Sequence, residues 1–454
     1  MIGQHVDQRL GKRLGQALLA ALWLVAAAAA AYKLAARPAP ANFAVPNIAT
    51  PAVAMPSTTA LAATTAAAFI TPPDARAHVH ASSLVEIAPD RVRAVWFSGS
   101  REGGADVTIQ TAVYHPLQRR WSAEQTIATR AATEAATLRA TRKLGNPVIA
   151  RHSDGRLWLF YVSVAIGGWA GSSINAMHSS DDGDHWSTPT RLITTPFFNL
   201  STLVRTQPVL GSDGTMLLPV YHQFLGKFAE LLRIDRNGNV VDKQRLSWGR
   251  GMLQPALLPL SATDALVLMR TGGSDLPDRV MATRTTDAGV HWTTPAPMTL
   301  RNPDSALAGV VLSEQRMLVV LNDSESDRDV LALALSADQG STWRVIQVLE
   351  DERPAAALAT DPLQFAARAT EAGRETTAGR ETSADRATDG RGNNARQQMC
   401  VGRSRCGFEF SYPSMLVTKN GDIHIAYTWH RSAIKHIVLN AAAVEEANGR
   451  ARER

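Results

Sequence analysis

The residues Ser179-Ser180-Asp181-Asp182-Gly183-Asp184-His185-Trp186 decide how the rest of this chain is interpreted. An Asp and a Gly separated by one residue suit a tight turn, because Asp accepts hydrogen bonds from nearby backbone N–H groups and Gly adopts positive φ. The Ser two residues before the Asp can close the turn with its hydroxyl. The Trp three residues after the Gly can re-enter the sheet and pack over it. The octapeptide therefore predicts a β-hairpin turn with an aromatic cover.

The same pattern, Ser/Thr-x-Asp-x-Gly-x-x-Trp, indicates a repeat protein because it recurs with every fixed position kept. The other copies are Thr285-Thr286-Asp287-Ala288-Gly289-Val290-His291-Trp292 and Ser336-Ala337-Asp338-Gln339-Gly340-Ser341-Thr342-Trp343. The predicted structural residues are Asp181, Gly183 and Trp186; Asp287, Gly289 and Trp292; and Asp338, Gly340 and Trp343. With a degenerate copy at Asp235-Arg236-Asn237-Gly238, the successive steps are about 50 residues, the length of a four-stranded propeller blade.

Six segments after His78 share a second pattern, in which a short apolar strand, a turn and another apolar strand follow one another. Three of the turns contain strong hairpin dipeptides, Asp154-Gly155, Asp213-Gly214 and Asn420-Gly421. Six such hairpins predict an all-β fold, a six-bladed β-propeller over residues 76–440. The last strands, around His430 to Leu439, are expected to close the ring against the first blade.

The N-terminal region carries a candidate membrane segment. Arg9, Lys12 and Arg13 precede an uncharged run from Leu14 to Tyr32, which is long enough to cross a hydrocarbon core of about 30 Å. Small residues near its end also suit a signal peptidase. We expect residues 1–36 to be either a signal anchor in the inner membrane, with the domain in the periplasm, or a cleaved signal peptide of a secreted protein.

Composition separates three further segments. Residues 37–75 are rich in Ala, Pro and Thr, which predicts an extended linker. Residues 352–406 lack the apolar content to fold alone, which predicts a disordered insertion between the fifth and sixth blades, and 441–454 form a tail. Cys400 and Cys406 lie in the insertion, either as two thiols or as a local disulfide of an oxidising compartment.

The charge pattern argues against nucleic-acid binding, and the spacing of Cys and His argues against a metal site. The formal net charge is +6, but Lys and Arg do not gather with interleaved aromatics, so the sequence shows no nucleic-acid signature. No Cys or His pairs stand at the spacing of a metal site. We therefore expect neither a metal nor another cofactor.

The Ser/Thr-x-Asp-x-Gly-x-x-Trp motif resembles the repeat called the Asp-box. Asp-box repeats in a six-bladed propeller resemble the sialidase superfamily, including its bacterial BNR-repeat, sialidase-like branch. The resemblance covers residues 78–440 without the insertion. Phrases similar to that branch include Gly99-Ser100-Arg101-Glu102-Gly103, Gly167-Gly168-Trp169 and Ser411-Tyr412-Pro413. The Asp-box lies on the outer rim of a blade, so it supports the fold strongly and the chemistry weakly.

The resemblance implies a site at the propeller's centre, with arginines for a substrate carboxylate, a Tyr nucleophile paired with a Glu, and an Asp acid/base. Arg101, Arg270 and Arg328 match arginine positions, and Asp106 matches the Asp. Tyr412 opens the sixth inner strand, where the nucleophile belongs. An Arg binds a carboxylate through its planar fork of donors, and Asp106 would act as an acid if burial raised its pKa.

Two positions depart from the family pattern. His80 stands where the first Arg is expected, and Gln254 stands where the Glu beside the Tyr is expected. Gln cannot accept a proton, so Tyr412 would lose its usual activator. Both replacements keep hydrogen bonding at their positions, which favours an adapted pocket in which His80 and Gln254 shape specificity. Trp169 could stack on a sugar ring.

The leading expectation is a sialidase-like exo-glycosidase that hydrolyses a terminal anionic sugar, of the sialic acid or uronic acid type, from glycans. Asp106 would be the acid/base, and Tyr412 the nucleophile or a transition-state stabiliser. One alternative is a non-catalytic propeller that binds a glycan or a protein. Another is a uronate polysaccharide hydrolase or lyase in which His80 transfers the proton. The expected partners are a glycan and, through the N-terminal helix, a membrane; the sequence does not set the oligomeric state.

Overall fold

The computed structural model of this chain describes residues 2–35, 40, 42–45, 66–73, 78–195, 199–224, 226–247, 251–272, 276–352, 409–440, 444 and 448. It has two compact units, Met1–Pro40 and Ala41–Arg454. The predicted insertion from residue 353 onward, with Cys400 and Cys406, lies outside the described residues. So does most of the predicted tail.

The first unit contains the helix α1, Ile2–Ala35. Its Arg13–Tyr32 segment has 20 residues with a mean hydropathy of 1.9, and none of it is buried. Leu14, Trp23 and Val25 are all exposed. A helix that is apolar on every side and this long is suited to cross a membrane by length and composition.

The second unit is a six-bladed β-propeller, as the repeats predict. Each blade is an antiparallel sheet, and the first strands of neighbouring blades contact one another around the centre. The strands of the first three blades are β2 (His78–Ala88), β3 (Arg91–Gly99), β4 (Thr108–His115), β5 (Arg120–Trp121) and β6 (Gln125–Ala128); β7 (Lys143–Arg151), β8 (Leu157–Val164), β9 (Ser172–Ser179) and β10 (Thr190–Arg191); and β11 (Leu203–Val204), β12 (Val209–Leu210), β13 (Met216–His222), β14 (Phe228–Ile234) and β15 (Val240–Arg245).

The remaining three blades have four strands each. They are β16 (Met252–Pro259), β17 (Ala265–Thr271), β18 (Arg279–Thr285) and β19 (Ala296–Arg301); β20 (Ala308–Val311), β21 (Met317–Asn322), β22 (Val330–Ser336) and β23 (Arg344–Asp351); and β24 (Phe410–Val417), β25 (Ile423–Trp429), β26 (Ala433–Leu439) and β1 (Ala66–Phe69). A short helix, α2 (Arg130–Thr137), connects the first two blades and is capped by the Thr129 hydroxyl. Two 3₁₀ turns span Pro116–Gln118 and Trp169–Gly171.

The three Asp-boxes make the same turn between the third and fourth strands of their blades. In the first box, the Ser179 hydroxyl donates to Asp181 Oδ1 at 2.7 Å and accepts from the Gly183 N–H at 2.8 Å. Asp181 also accepts from the His185 N–H at 2.9 Å. The other two boxes repeat these bonds within 0.2 Å. Each box places two successive residues at positive φ, which explains the invariant Gly.

The outermost strand of the sixth blade comes from the segment before the first blade. Strand β1 pairs with β26 from Ala66↔Val438 to Phe69↔Lys435. The predicted closure around His430 to Leu439 thus includes a strand that the sequence did not indicate, since Ala-Ala-Ala-Phe carries no strand pattern. It forms because β26 offers an unpaired edge. The expectation that all of 37–75 is linker is corrected to this extent.

A second part of the predicted linker is also folded. Phe43 is 2% exposed and packs among Leu217, Met252 and Leu257 of the third and fourth blades. Its N–H donates to the Ala262 carbonyl at 2.8 Å. Residues 42–45 therefore fasten two neighbouring blades together at their turns.

Four inner strands share a bulge in their first half. The pairing register skips two residues in β2, β7, β16 and β24, between His80 and Ser83, Gly145 and Val148, Leu253 and Ala256, and Ser411 and Ser414. The first skipped residue has positive φ in every case: Ala81 (61°), Asn146 (44°), Gln254 (52°) and Tyr412 (51°). This conformation is uncommon outside Gly, and it costs about 1–3 kcal/mol per residue.

The seam between the sixth and first blades contains a buried histidine pair. His424 Nδ1 lies 3.0 Å from His436 Nε2, and the Trp121 indole N–H donates to His436 Nδ1 at 3.3 Å. Because the indole can only donate, His436 carries its proton on Nε2 and donates it to His424. Burial lowers the pKa of His424 to about 4, and burial followed by the neighbouring His424 holds the pKa of His436 well below 6.5.

We predict that Phe43→Ala lowers the free energy of unfolding by about 3 kcal/mol, because truncating a buried Phe leaves a cavity. Urea denaturation of the full chain in mild detergent, followed by tryptophan fluorescence, measures the change. Val45→Ala, at an exposed neighbouring position, is the control and should change stability by less than about 0.5 kcal/mol. Equal effects of the two substitutions would contradict this role of Phe43.

We predict that stability falls as the pH falls from 6.5 towards 4. A histidine whose folded pKa lies below its unfolded pKa stabilises the fold fully above the unfolded value, and that contribution is lost as the pH drops towards the folded value. His424 alone should contribute up to about 3 kcal/mol. His424→Gln keeps an acceptor for His436 but does not titrate, so it should flatten the slope of unfolding free energy against pH. An unchanged slope would contradict the prediction.

Candidate functional site

The bulged residues of the second, fourth and sixth blades are joined by hydrogen bonds with Tyr221 of the third blade. Asn146 Nδ2 donates to the Tyr221 hydroxyl at 3.2 Å, and Gln254 Nε2 lies 3.3 Å from the same oxygen. Gln254 Nε2 also donates to the Tyr412 hydroxyl at 3.0 Å. Asn146, Tyr221 and Gln254 are buried, and Tyr412 is half-buried. We call these four residues the central network.

The network lies within the field of two arginines. Burial, and then the neighbouring Tyr412, raises the pKa of Tyr221, whereas the Gln254 bond and the charges of Arg270 and Arg205 act in the opposite direction. Both arginines are therefore close enough to influence a hydroxyl at the centre. A group on a ligand that reaches Tyr221 would meet positive potential.

His80 forms one wall beside Tyr412. Their ring centres are 4.1 Å apart, and His80 Nδ1 shares a 2.9 Å hydrogen bond with the Thr428 hydroxyl. Burial, followed by the charges of Arg431, His78, Arg328 and Arg205, holds the pKa of His80 well below 6.5. The residue at the expected position of the first Arg is therefore neutral and packed at neutral pH.

Arg205 is the central residue that the sequence reasoning missed. Its guanidinium donates to the backbone carbonyls of Ser82, Tyr412 and Pro413, and lies 5.1 Å from the Tyr412 ring centre. Burial lowers its pKa to about 10, so it remains charged at neutral pH. It is 2% exposed and has no carboxylate partner among the residues that the structure describes.

A signal for this region was present in the sequence. Asn146, Gln207, Gln254 and Tyr412 all directly precede a proline at the start of an inner strand. Gln207 follows Arg205 by two residues, and its amide donates to the Ile149 carbonyl at 2.9 Å and to the Leu84 carbonyl near the centre. Comparing the residues before these prolines would have selected the central positions.

The predicted arginines Arg270 and Arg328 meet at Asp304. Arg270 forms an ion pair with the Asp304 carboxylate, and its Nη1 also donates to the Asp304 backbone carbonyl at 3.0 Å. Arg328 Nη2 donates to that same carbonyl. Arg270 is 7% exposed, while Arg328 is half-buried. We call Arg270 and Arg328 the arginine clamp.

A carboxylate joins this clamp to the neighbouring loops. Glu409 Oε2 lies 3.8 Å from Arg328 Nη1, and Glu409 Oε1 lies 2.5 Å from Arg431 Nε. Arg431 Nη1 in turn lies 2.6 Å from Glu102 Oε2. The sequence reasoning selected neither Glu409 nor Arg431, whose neighbourhood arises from three separate loops.

Asp106 and Arg101 lie on the exposed turn after β3, which also carries Glu102. Asp106 accepts hydrogen bonds from the Ser100 N–H at 2.7 Å and from its hydroxyl at 3.0 Å. Burial acts to raise the pKa of Asp106, but the Ser100 bonds and the charge of Arg101 together lower it. Asp106 and Arg101 are exposed, and these contacts do not bring them into the central network. The raised pKa expected of an acid is not found.

Trp169 lies beside the network on the second blade. A Cβ added at Gly145 would approach its ring to 2.7 Å, and the Lys143 ammonium lies 4.0 Å from the ring centre. Gly145 directly precedes Asn146, so the indole packs next to the central network. Its stacking on a sugar stays a prediction.

Several polar atoms at the centre are buried without a partner among the described residues. They are Gln254 Oε1, Arg270 Nε and Arg205 Nε. Buried polar groups normally find a protein, water or ligand partner. These atoms could therefore receive the hydroxyl or carboxylate groups of a ligand. Within the same described residues, no group of three or more His, Cys, Asp or Glu is arranged to hold a metal.

Residues 90–425 match the family model described as a BNR repeat-like domain, which is more than half of the 454 residues. The chain belongs to this family. No curated protein sequence matches this BNR repeat-like protein.

Solved structures of sialidases share the fold of this BNR repeat-like protein. A Hadza microbial sialidase is 13% identical with a TM-score of 0.57, covering 81% of this chain and 66% of that one. The NanB sialidase from Streptococcus pneumoniae is 9% identical with a TM-score of 0.55, covering 82% and 70%. The intramolecular trans-sialidase from Ruminococcus gnavus is 11% identical with a TM-score of 0.52, covering 81% and 95%.

These similarities establish the fold and no more. The chain spans slightly less than two thirds of the Hadza microbial sialidase. At such low identities, the likeness does not carry over catalytic residues, because activity depends on the residues of the site and not on the fold.

We predict that Glu409→Gln lowers the free energy of unfolding by about 3 kcal/mol near neutral pH, because it leaves Arg328 and Arg431 without their shared charge. Burial acts to raise the pKa of Glu409, but the two arginines and the Ser411 bond hold it below the ordinary value. The stabilisation should therefore be complete above the unfolded pKa and disappear as the pH falls through the folded pKa.

Urea denaturation at pH 7 and at pH 3 measures this effect. The difference between wild type and Glu409→Gln should shrink at the lower pH. Glu314→Gln, on the opposite turns of the fifth blade, controls for loss of an exposed charge. A difference that stays constant with pH would contradict the role of the Glu409 carboxylate.

Proposed function

We propose that this BNR repeat-like protein binds the terminal anionic sugar of a glycan at the propeller's centre and hydrolyses its glycosidic bond, as a sialidase-like exo-glycosidase. One observation supports this most. The Tyr412 hydroxyl is held at 3.0 Å by Gln254, and the Arg205 guanidinium lies 5.1 Å from the centre of the Tyr412 ring. A nucleophilic phenol next to fixed positive charge suits attack on the anomeric carbon of an anionic sugar.

In this reaction, the Tyr412 oxygen forms a bond to the anomeric carbon while the glycosidic C–O bond breaks. The leaving alcohol takes up one proton as the Tyr412 hydroxyl gives up its own to solvent. Water then attacks the anomeric carbon, its oxygen stays on the sugar, and one of its protons restores the Tyr412 hydroxyl. Gln254 orients the phenol by its hydrogen bond but cannot remove its proton. The arginine clamp holds the negative group of the sugar through charge-assisted hydrogen bonds.

Asp106 remains the proposed proton donor from the sequence match, although its pKa is lowered. His80 receives no support as a proton-transfer residue. It is buried, neutral and bonded to Thr428, so the reaction in which His80 acts on a uronate polysaccharide is the weaker proposal.

A second candidate function is binding of the sugar without hydrolysis. It is favoured by Gln254, which replaces a proton acceptor, and by the ionised Asp106 on its exposed turn. In that case, the unpartnered atoms Gln254 Oε1 and Arg270 Nε would serve recognition alone.

The proposed location follows from α1. Its Arg13–Tyr32 segment suits a membrane span or a signal peptide, and basic residues precede it. We propose that the propeller acts outside the cytoplasm on glycans of the periplasm or the cell's surroundings. This location agrees with the proposed substrate, because glycans are exposed outside the cytoplasm.

We predict that the full chain in mild detergent cleaves a fluorogenic N-acetylneuraminide or glucuronide and that Tyr412→Phe lowers kcat at least about 100-fold, because the nucleophile is lost. Gln254→Glu should raise kcat, since it supplies a proton acceptor next to the phenol. Tyr114→Phe, a buried tyrosine away from the centre, is the matched control and should keep wild-type turnover.

Equal turnover by wild type and Tyr412→Phe would contradict the nucleophilic role. Binding of the free sugars without cleavage by wild type or Gln254→Glu would support the second candidate. Isothermal titration with N-acetylneuraminate and glucuronate separates that outcome from a centre that binds no sugar.

A further inference from the structure

Asp304 is exposed on a loop whose other residues are fixed inside the propeller. In the stretch 302–307, Asp304 is the exposed residue and the others are buried. The Asn302 amide donates to the Pro303 carbonyl at 2.9 Å and to the Ser305 carbonyl at 2.8 Å. The Ser305 hydroxyl donates to Asn322 at 2.5 Å. The backbone of this loop is therefore held in place, and it presents Asp304 beside Arg270.

That position is inside the arginine clamp. The carboxylate pairs with Arg270 Nη1, and the Asp304 backbone carbonyl accepts from both Arg270 and Arg328. A negative group on a ligand that approached Arg270 would encounter this resident carboxylate. Two carboxylates cannot share the same donor without strong repulsion.

The pair is unequal in its exposure to water. The Arg270 side chain is 8% exposed, whereas that of Asp304 is 59% exposed. A buried guanidinium is stabilised by a negative or hydrogen-bonding partner, whereas an exposed carboxylate is readily hydrated when it loses its partner. Exchange of Asp304 for a ligand's carboxylate would keep Arg270 paired and return Asp304 to water.

The resident contact also leaves Arg270 incompletely used. Its Nε is buried without a partner among the described residues, while the bonds to Asp304 all come from Nη1. A ligand that took the place of Asp304 on Nη1 would still find the Nε–H donor open to a second acceptor group.

We propose that Asp304 is a specificity-determining residue that occupies the arginine clamp in the free protein and must be displaced by the anionic group of the sugar. The proposal rests on the proposed function, because it assumes that the clamp receives such a group. Asp304 lowers affinity for every anion and leaves affinity for uncharged sugars unchanged. The site consequently selects ligands whose remaining contacts are strong enough to offset the displacement.

The test compares wild type with Asp304→Asn, which keeps the backbone carbonyl and removes the charge. Isothermal titration of the full chain in detergent uses N-acetylneuraminate, glucuronate and inorganic sulfate as anionic probes, and glucose as the uncharged probe. We expect at least about tenfold tighter binding of the anions by Asp304→Asn, with no change for glucose. Asp323→Asn is the matched control, since Asp323 pairs with Arg301 on a neighbouring loop and should leave all affinities unchanged.

Unchanged or weaker binding of all three anions by Asp304→Asn would overturn the proposal, because a carboxylate that merely orients Arg270 gives that result. Asp304→Ser serves as a second variant, and a melting curve establishes that each variant is folded. If neither variant folds, Asp304 is a structural partner of Arg270 and the proposal fails. Tighter sulfate binding without binding of either sugar would support the displacement at Asp304 and contradict the proposed sugar substrate, which keeps the two conclusions separable.

Discussion

The left-handed bulge of the inner strands is the constraint on which the central site depends. In a regular strand, side chains alternate between the two faces of the sheet. Those of an inner strand therefore point towards the neighbouring blades and not towards the propeller's axis. A bulge breaks that alternation in four blades. Its first residue is Ala81, Asn146, Gln254 or Tyr412. Asn146 and Gln254 then reach the Tyr221 hydroxyl, and Gln254 also reaches that of Tyr412. The strain at these positions is balanced by the regular sheet that follows each bulge.

Arg205 shows how the ring supports this strain. Its guanidinium satisfies three carbonyls from the first and sixth blades, including that of Tyr412 itself. Backbone carbonyls at a bulge lose their sheet partners, so a buried donor with several N–H groups is well suited to replace them. The same cation supplies positive potential beneath the Tyr412 ring. One residue therefore stabilises the backbone of the site and sets its charge.

The charges around the arginine clamp are organised in pairs rather than as a free cluster of arginines. Asp304 takes Arg270, and Glu409 takes Arg328 and Arg431. Such pairing keeps several guanidinium groups close together without mutual repulsion. It also means that affinity for an anion depends on what the arginines must release. His80 and Gln254 fit this arrangement, since each adds hydrogen bonding without adding charge near Tyr412.

The sequence alone determined the architecture, because the Asp-box turns are local. Asp181, Gly183 and Ser179 satisfy one another within five residues, so their spacing fixes the turn wherever it occurs, and the repeat distance fixes the blades. Tyr412, Gln254 and His80 were predictable as neighbours because each opens an inner strand. Only the tertiary structure decided that Arg205, Glu409 and Asp304 belong beside them, since these contacts join loops of different blades. It also decided that Phe43 and Ala66–Phe69 fold onto the propeller, because their partners are an apolar gap and an unpaired strand edge that exist only once the ring is formed.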